Sequence, residues 1–273
     1  MKTKKQIKYF KMSGTGNDFI VFDNRSQLLS ENEKHFFSSI CQRRFSIGAD
    51  GIILLENGSK TPIRMRYYNS DGVEAALCGN GVRCAGFLAK ELGFVNKNDF
   101  QLEAADGLHD IQLNGTQVCV SLLPPTGCKT GLNIIQEPGF TEGAFLVVGV
   151  SHYVIFVPEL EQVDVETIAP YYRHHSVFPN GTNINFVQML GKSEIRVRTF
   201  EKGVEKETLS CGTGCVASAL IVSRIHGIES PVPVHTRGGL LSVNFDLSWN
   251  DVTLTGEVAY VYNGVLNMPD DET

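Results

Sequence analysis

"NSDGVEAALCGNGVRCAG", residues 69–86, sets a cysteine, Cys78, at the point where a run of Asn, Asp and Gly gives way to apolar residues at helical spacing. Val82, Ala85, Leu88, Ala89 and Leu92 recur every three or four positions until Gly93 supplies a stop. The spacing predicts a helix with Cys78 at its N-terminus. The arrangement returns in "ETLSCGTGCVASAL", residues 207–220: a polar approach, Cys211, Gly, one residue, Gly, then a helix-like run. Residues 212–226 are apolar on nearly every side (Cys215, Val216, Ala217, Ala219, Leu220, Ile221, Val222, Ile225) and end at Gly227, which predicts a helix buried all round and therefore wrapped by strands. The two cysteines lie 133 positions apart (211 minus 78), about half the 273-residue chain, and Asn17 in "GTGND" echoes Asn183 in "GTNIN". The pattern reads as two copies of one α/β unit, with the equivalent helix N-termini meeting between them.

Working outward, "IKYFKM", "FIVFD", "GIILLE" and "IRMRYY" are β-branched and aromatic runs separated by turn residues, so the first half reads as mainly sheet. Ser30 and Glu33 are spaced as a capping box ahead of "KHFFSSICQRR", whose Phe36, Phe37, Ile40 and Cys41 share one face of a surface helix. "LHDIQL" and "QVCVSLL" form a hairpin about "NGT", and "PPTG" at 124–127 marks the boundary between halves. The expected domains are 1–123, carrying Cys78, and 124–258, carrying Cys211, with a final strand at about 259–273 returning to the first. Strands are expected at "AFLVVG", "YVIFV", "INFVQML", "EIRVRTF", "LLSVNF" and "DVTLTG", with a surface helix near 165–174.

Composition narrows the function. A hydrophobic fraction of 42%, a charged fraction of 20% and a net charge of -6 describe a globular chain with no electrostatic reason to bind nucleic acid; the only basic cluster is "MKTKKQIKYFKM". No apolar run follows those lysines as a signal peptide requires, and none reaches the length of a membrane span, so a cytoplasmic protein without membrane contact is expected. Seven cysteines, an odd number in a long chain, read as thiols rather than a disulfide framework.

A helix N-terminus presents unpaired N–H groups and partial positive charge, so it binds carboxylates and favours a thiolate. Gly79, Gly81, Gly212 and Gly214 let the backbone approach a ligand closely. An amino acid held by its carboxylate on both turns, its α-carbon between two sulfurs, could lose a proton to one and gain one from the other, which inverts the centre without any cofactor. Competing readings are weaker. Cys is often plain core packing. For zinc, Cys211 and Cys215 have suitable spacing, but Cys78 and Cys84 do not and no His follows. A dinucleotide fingerprint fails, with Phe19 and Cys84 where the third glycine belongs. A redox module would use Cys-x-x-Cys, which is absent, and an amino acid binding protein has no need of two thiols.

"SGTGNDFIVFDN", "IGADGI", "YYNSDG" leading into "CGNGVRC", "GTNINFV" and "ETLSCGTG" occur in the order, and over nearly the length, in which they resemble the diaminopimelate epimerase family. The resemblance implies a pyridoxal-independent isomerase that interconverts LL- and meso-diaminopimelate for lysine and peptidoglycan synthesis, with no cofactor and no metal. It implies two pseudo-symmetric domains, each a β-barrel-like sheet around a central helix, an active site in the cleft between them, and a homodimer. By motif, Cys78 and Cys211 are the acid/base pair. The N–H groups of Gly79, Asn80, Gly212 and Thr213 hold the reacting carboxylate, and Asn17 contacts the substrate near that centre. Asn69 and Asn183 fall where the family binds the distal end, and Glu201 binds the reacting amino group. Glu201 and His152 help set the cysteine ionisation. Two positions depart from the family: Lys202 stands where an Arg usually follows the Glu, giving up a bidentate contact to the distal carboxylate, and Val150 stands where many members carry Asn. A proline or hydroxyproline racemase of the same two-cysteine superfamily is the nearest rival; Asn69, Asn183 and Lys202 argue for a substrate with a polar distal end.

Overall fold

A computed structural model of the protein describes residues 6–30, 32–75 and 78–268. The lysine-rich start at 1–5 and the end of the expected last strand at 269–273 lie outside them. The chain divides into two compact units, residues 1–118 with 258–273 and residues 119–257.

In the first unit, strands β1 (Gln6–Gly14) and β2 (Asn17–Asp23) form a hairpin. Its two-residue turn, Thr15 at φ 53 and Gly16 at φ 80, has the left-handed conformations of a type I′ turn, which matches the twist of the strands. Helix α1 (Lys34–Cys41) leads to β3 (Gly51–Glu56), which is parallel to β2, and then to antiparallel β4 (Arg64–Asn69) and short β5 (Glu74–Ala75). Helix α2 (Gly79–Glu91) returns the chain to β6 (Asp99–Ala104), parallel to β4; β7 (Gly107–Asn114) and β8 (Gln117–Leu122) follow. The last strand, β17 (Val252–Asn267), pairs with β1 through its later half. The pairings β1-β2-β3-β4-β6-β7-β8-β17-β1 close an eight-stranded barrel. Helix α2 fills it, packing on β1, β2, β3, β4 and β7. Alternation along the strands sends Ile20, Phe22, Ile52, Leu54 and Tyr68 outward, where Phe37, Ile40 and Cys41 of α1 cover them. Ser30 does not cap that helix: Glu33 is its N-cap, without a side-chain cap, and the Ser30 hydroxyl instead accepts from the Asn32 N–H.

The second unit repeats the order. Strand β9 (Thr126–Thr130) pairs with β10 (Thr141–Val148), which forms a hairpin with β11 (Val150–Phe156). Helix α3 (Val165–Arg173), capped by the Asp164 carboxylate accepting from the Thr167 N–H, precedes β12 (Asn183–Leu190), which is parallel to β11. Antiparallel β13 (Glu194–Glu201) and β14 (Lys206–Thr208) follow, then α4 (Gly212–His226). Strand β15 (Val232–Thr236) lies parallel to β13 and continues through β16 (Gly239–Phe245) to the first half of β17. Helix α4 packs on β10, β11, β12, β13, β15 and β16, and every residue from Gly212 to Val222 is buried, as its unbroken apolar run predicts. Ile225 departs from that expectation: it is exposed in the last turn, before Gly227 ends the helix at φ 72. Facing outward, Tyr153, Ile155, Ile184, Phe186 and Phe200 are covered by Val165, Ala169 and Tyr172 of α3.

The topological repeat corrects one sequence correspondence. Asn17 opens β2, whose counterpart is β11, whereas Asn183 opens β12, whose counterpart is β3. The register pairs Gly51 with Asn69 in one unit and, one step beyond the Ile184–Phe200 pair, brings Asn183 opposite Glu201 in the other, so Asn69 and Glu201 end equivalent strands.

Candidate active site

Cys78 and Cys211 are the N-cap residues of α2 and α4. Each has extended backbone (φ -133, ψ 108 and φ -116, ψ 109), and its carbonyl accepts the first intrahelical bond, from the Val82 N–H at 2.8 Å and the Cys215 N–H at 2.9 Å. Ser, Thr, Asp or Asn would ordinarily stand here and accept from the first-turn N–H groups. A sulfur, a weaker acceptor than those oxygens, stands at both positions instead. The positive end of each helix is thus left to whatever lies in front of it.

In the first unit, Cys78 is half-buried, Asn80 is buried and Arg83 is completely so. The Arg83 guanidinium donates to Thr15 Oγ1 at 2.8 Å, Asn80 Oδ1 at 2.9 Å and the Gly79 carbonyl at 3.3 Å. It ties the first turn of α2 to the β1–β2 turn, directly ahead of Asn17 at the start of β2. Sequence reasoning missed Arg83; the signal was a lone guanidinium on an apolar helix face, which a buried chain tolerates only when it is paired. Asn17 Oδ1 is buried without a hydrogen-bond partner among the described residues. Asn69 is exposed at the end of β4, its backbone closing a turn with Gly72 and Val73. Burial pushes the Cys84 thiol up to about 12, so it stays protonated.

In the second unit, Cys211 is buried, and its thiol is held well above the ordinary value, first by burial and then by the nearby Glu201 charge. The Thr213 hydroxyl, 3.7 Å from the sulfur, and the Gly214 N–H pull the other way. For Cys211 this reverses the expectation from the helix terminus alone: desolvation outweighs the terminal dipoles, and the sulfur carries its proton at neutral pH. His152 is fully buried, and burial pushes it down to about 3, so it is neutral. Its Nε2 lies 3.0 Å from Thr213 Oγ1. Glu201 accepts from the Thr208 hydroxyl. The Asn183 amide is spent inside the protein, donating to the Ser151 carbonyl at 2.8 Å and accepting from the Lys202 N–H at 2.8 Å, so it fixes the turn that presents Glu201 and exposed Lys202. Val150 is exposed at the start of β11.

The second glycine of each Cys-Gly-x-Gly serves packing. A Cβ on Gly81 would meet Met65 Cε at 3.1 Å, and one on Gly214 would lie 2.3 Å from Asn185 Oδ1. These residues let the helix approach its own strands; the reading of them as room for a ligand is corrected.

Comparison with known proteins places these features. Residues 9–122 and 145–261 match the family profile described as diaminopimelate epimerase. The chain is 38% identical to the diaminopimelate epimerase of Chlorobaculum tepidum over 262 residues, 94% of this chain and 100% of the relative. It is also 38% identical to that of Aquifex aeolicus over 275 residues, 96% of this chain and 98% of the relative. Among solved structures, a PhzF-family phenazine biosynthesis protein from Bacillus anthracis has the same fold at a TM-score of 0.76 and 16% identity, covering 97% of this chain and all of that one. A hydroxyproline epimerase from Agrobacterium vitis aligns at a TM-score of 0.69 and 15% identity, covering 99% and 95%. With two barrels, each wrapped round a helix that opens on a cysteine, and a profile match across most of both halves, the chain belongs to the diaminopimelate epimerase family.

Proposed function

We propose that the protein is an isomerase that interconverts LL- and meso-diaminopimelate, acting in lysine and peptidoglycan precursor synthesis, with Cys78 and Cys211 as its proton-transfer groups. The observation that carries the reading is the duplicated cysteine N-cap, which sets one sulfur at the N-terminus of each central helix. The reacting carboxylate accepts from the N–H groups of Gly79, Asn80, Gly212 and Thr213. Cys78, as thiolate, takes the α-proton; Cys211, which holds its proton in its buried setting, gives it to the opposite face. The two sulfurs exchange roles for the reverse reaction, so no cofactor or metal is required. Negative charge that develops on the carboxylate during abstraction is stabilised by the same N–H groups.

Glu201 receives the reacting ammonium, and its charge with neutral His152 sets the ionisation of Cys211. Asn17, with its unpartnered Oδ1, supplies an acceptor near the reacting centre. Asn69 and Lys202 serve the distal end of the substrate, and Asn183 supports that end through the turn that it fixes; there Lys202 offers a single charge in place of a planar fork. Two domains, about 1–123 with the last strand and 124–258, each contribute one thiol. No helix among the described residues is long and apolar enough to cross a membrane, and the reading places the enzyme in the cytoplasm. The expected assembly is a homodimer; Tyr260, Val261, Tyr262 and Val265 of β17, all more than 40% exposed, supply an apolar surface for a second copy.

Incubation with LL-diaminopimelate in deuterated water, followed by proton NMR and chiral separation, tests the reading. The expected result is the meso product with deuterium at the inverted α-carbon. Loss of α-protons from proline or hydroxyproline, with none from diaminopimelate, would overturn it.

A further inference from the structure

Three buried polar side chains of the second barrel, His152 on β11, Asn185 on β12 and Thr199 on β13, point inward toward the N-terminus of α4. Buried polar atoms must pair, and here the pairing fixes every proton. Asn185 Nδ2 lies 3.3 Å from the Tyr153 carbonyl, which can only accept, so this amide atom is the nitrogen and not the oxygen. The Thr199 hydroxyl donates to the other amide atom, Oδ1, at 3.0 Å. Asn185 Nδ2 is also 3.3 Å from His152 Nδ1, which must therefore accept. A neutral ring that accepts at Nδ1 carries its proton at Nε2, and that N–H donates to Thr213 Oγ1 at 3.0 Å. The Thr213 oxygen is then an acceptor toward His152, and its own proton is free for the Cys211 sulfur, 3.7 Å away.

We infer that Asn185 is a positioning residue: by donating to His152 Nδ1 it holds the ring in the Nε2–H tautomer, and so commits the Thr213 hydroxyl proton to the Cys211 sulfur. The inference rests on the reading of Cys211 as an acid/base group. Its consequence is a one-way chain of donors, Asn185 to His152 to Thr213 to Cys211, that strengthens when the sulfur gives up its proton, because a thiolate accepts more strongly than a thiol. Against it stand the burial of Cys211 and the carboxylate of Glu201 at the end of β13; Cys215, on α4 itself, adds to the same side. In the opposite tautomer Nε2 would accept from Thr213, and the sulfur would lose its side-chain donor. The closeness of Asn185 Oδ1 to Gly214 explains why this residue has no side chain: any Cβ would push the amide off the ring.

Nitrogen-15 NMR of the histidine rings, with His152 assigned by difference from His152→Gln, reads the tautomer without substrate. Protonation at Nε2 alone at pH 7 is expected; protonation at Nδ1 would overturn the inference. The second readout is the pH dependence of Cys211 alkylation by iodoacetamide, followed by peptide mapping. Thr213→Val should move the midpoint up by about one pH unit, about a tenfold loss of reactivity at fixed pH. Thr213→Ser should restore it. Asn185→Leu should mix the two tautomers and raise the midpoint in the same direction, yet add nothing in the Thr213→Val background. Equal effects of Asn185→Leu in both backgrounds would reduce Asn185 to a packing role and overturn the chain. Thr199→Val, which frees the amide to rotate, tests the same point if Asn185→Leu does not fold. Neither readout uses diaminopimelate, so a failed turnover assay with an intact Nε2–H tautomer would count against the substrate reading and not against this one.

Discussion

At the scale of residues, the two halves use their polar side chains differently. Beside α2 a buried guanidinium joins Asn80 to the Thr15 turn, whereas beside α4 the buried His152 stays neutral. Neutral His152 makes a stability prediction whose sign is fixed. The unfolded chain protonates this side chain below about 6.5, the folded protein only near 3, so between those values the unfolded state binds more protons. Stability contributed by neutral His152 is therefore complete above about 6.5 and falls as pH drops, by up to about 1.4 kcal/mol per pH unit. Urea midpoints between pH 7 and 4.5 should decline less steeply for His152→Gln; parallel declines would show that His152 is not buried as a neutral ring. Asn183 makes a second prediction. Because its amide joins Ser151 to Lys202, Asn183→Ala should cost about 1 to 3 kcal/mol in chemical unfolding as well as weaken substrate binding. A raised KM with unchanged stability would make it a pure substrate contact.

At the scale of elements, the caps of α2 and α4 and most strands were legible in the sequence, because each depends on local periodicity and turn chemistry: the apolar run of 212–222, the left-handed Gly227, the alternating β7. What was not legible depends on neighbours distant in the chain. Gly214 reads as ligand room until β12 brings Asn185 against it, and Asn185 reads as one more polar strand residue until cross-strand register sets it opposite Thr199 and beside β11. Arg83 needs the Thr15 turn, 68 positions away, to explain its burial. Ile225 fits the helical pattern yet is exposed in the last turn of α4. The same reasoning predicts that Gly214→Ala destabilises by about 1 to 3 kcal/mol or more, since the added methyl meets a hydrogen-bonded amide held from three sides. Gly227→Ala should cost about 1 to 2 kcal/mol through its positive φ, with open space around it. If Gly214→Ala proved the milder of the two in urea unfolding, the Asn185 contact would not be tight.

At the scale of the whole molecule, each half is one pass of the same order: a hairpin, a covering helix, a parallel strand, two antiparallel strands, then the central helix and its return. Strand β17 is read in sequence as two strands but runs from Val252 to Asn267, pairing first with β16 and then with β1; even the turn dipeptide Asn263-Gly264 stays extended, because its residues pair with Phe10 and Tyr9. Its exposed Tyr260 to Tyr262 segment bears on assembly: Val261→Asp should shift sedimentation from dimer to monomer, and a wild-type monomer would remove this strand from consideration as an interface. Duplication matters for function because inversion needs one proton-transfer group for each face of a carbon, and a repeated barrel provides one thiol per copy. The most direct test of that claim is the rate of inversion of LL-diaminopimelate in deuterated water for the wild type and for Cys78→Ala and Cys211→Ala separately. The two-thiol mechanism predicts that each single variant, folded by circular dichroism, loses inversion by about 10²-fold or more, while Cys119→Ala retains it; a Cys78→Ala or Cys211→Ala enzyme that inverts the centre at close to the wild-type rate would contradict it.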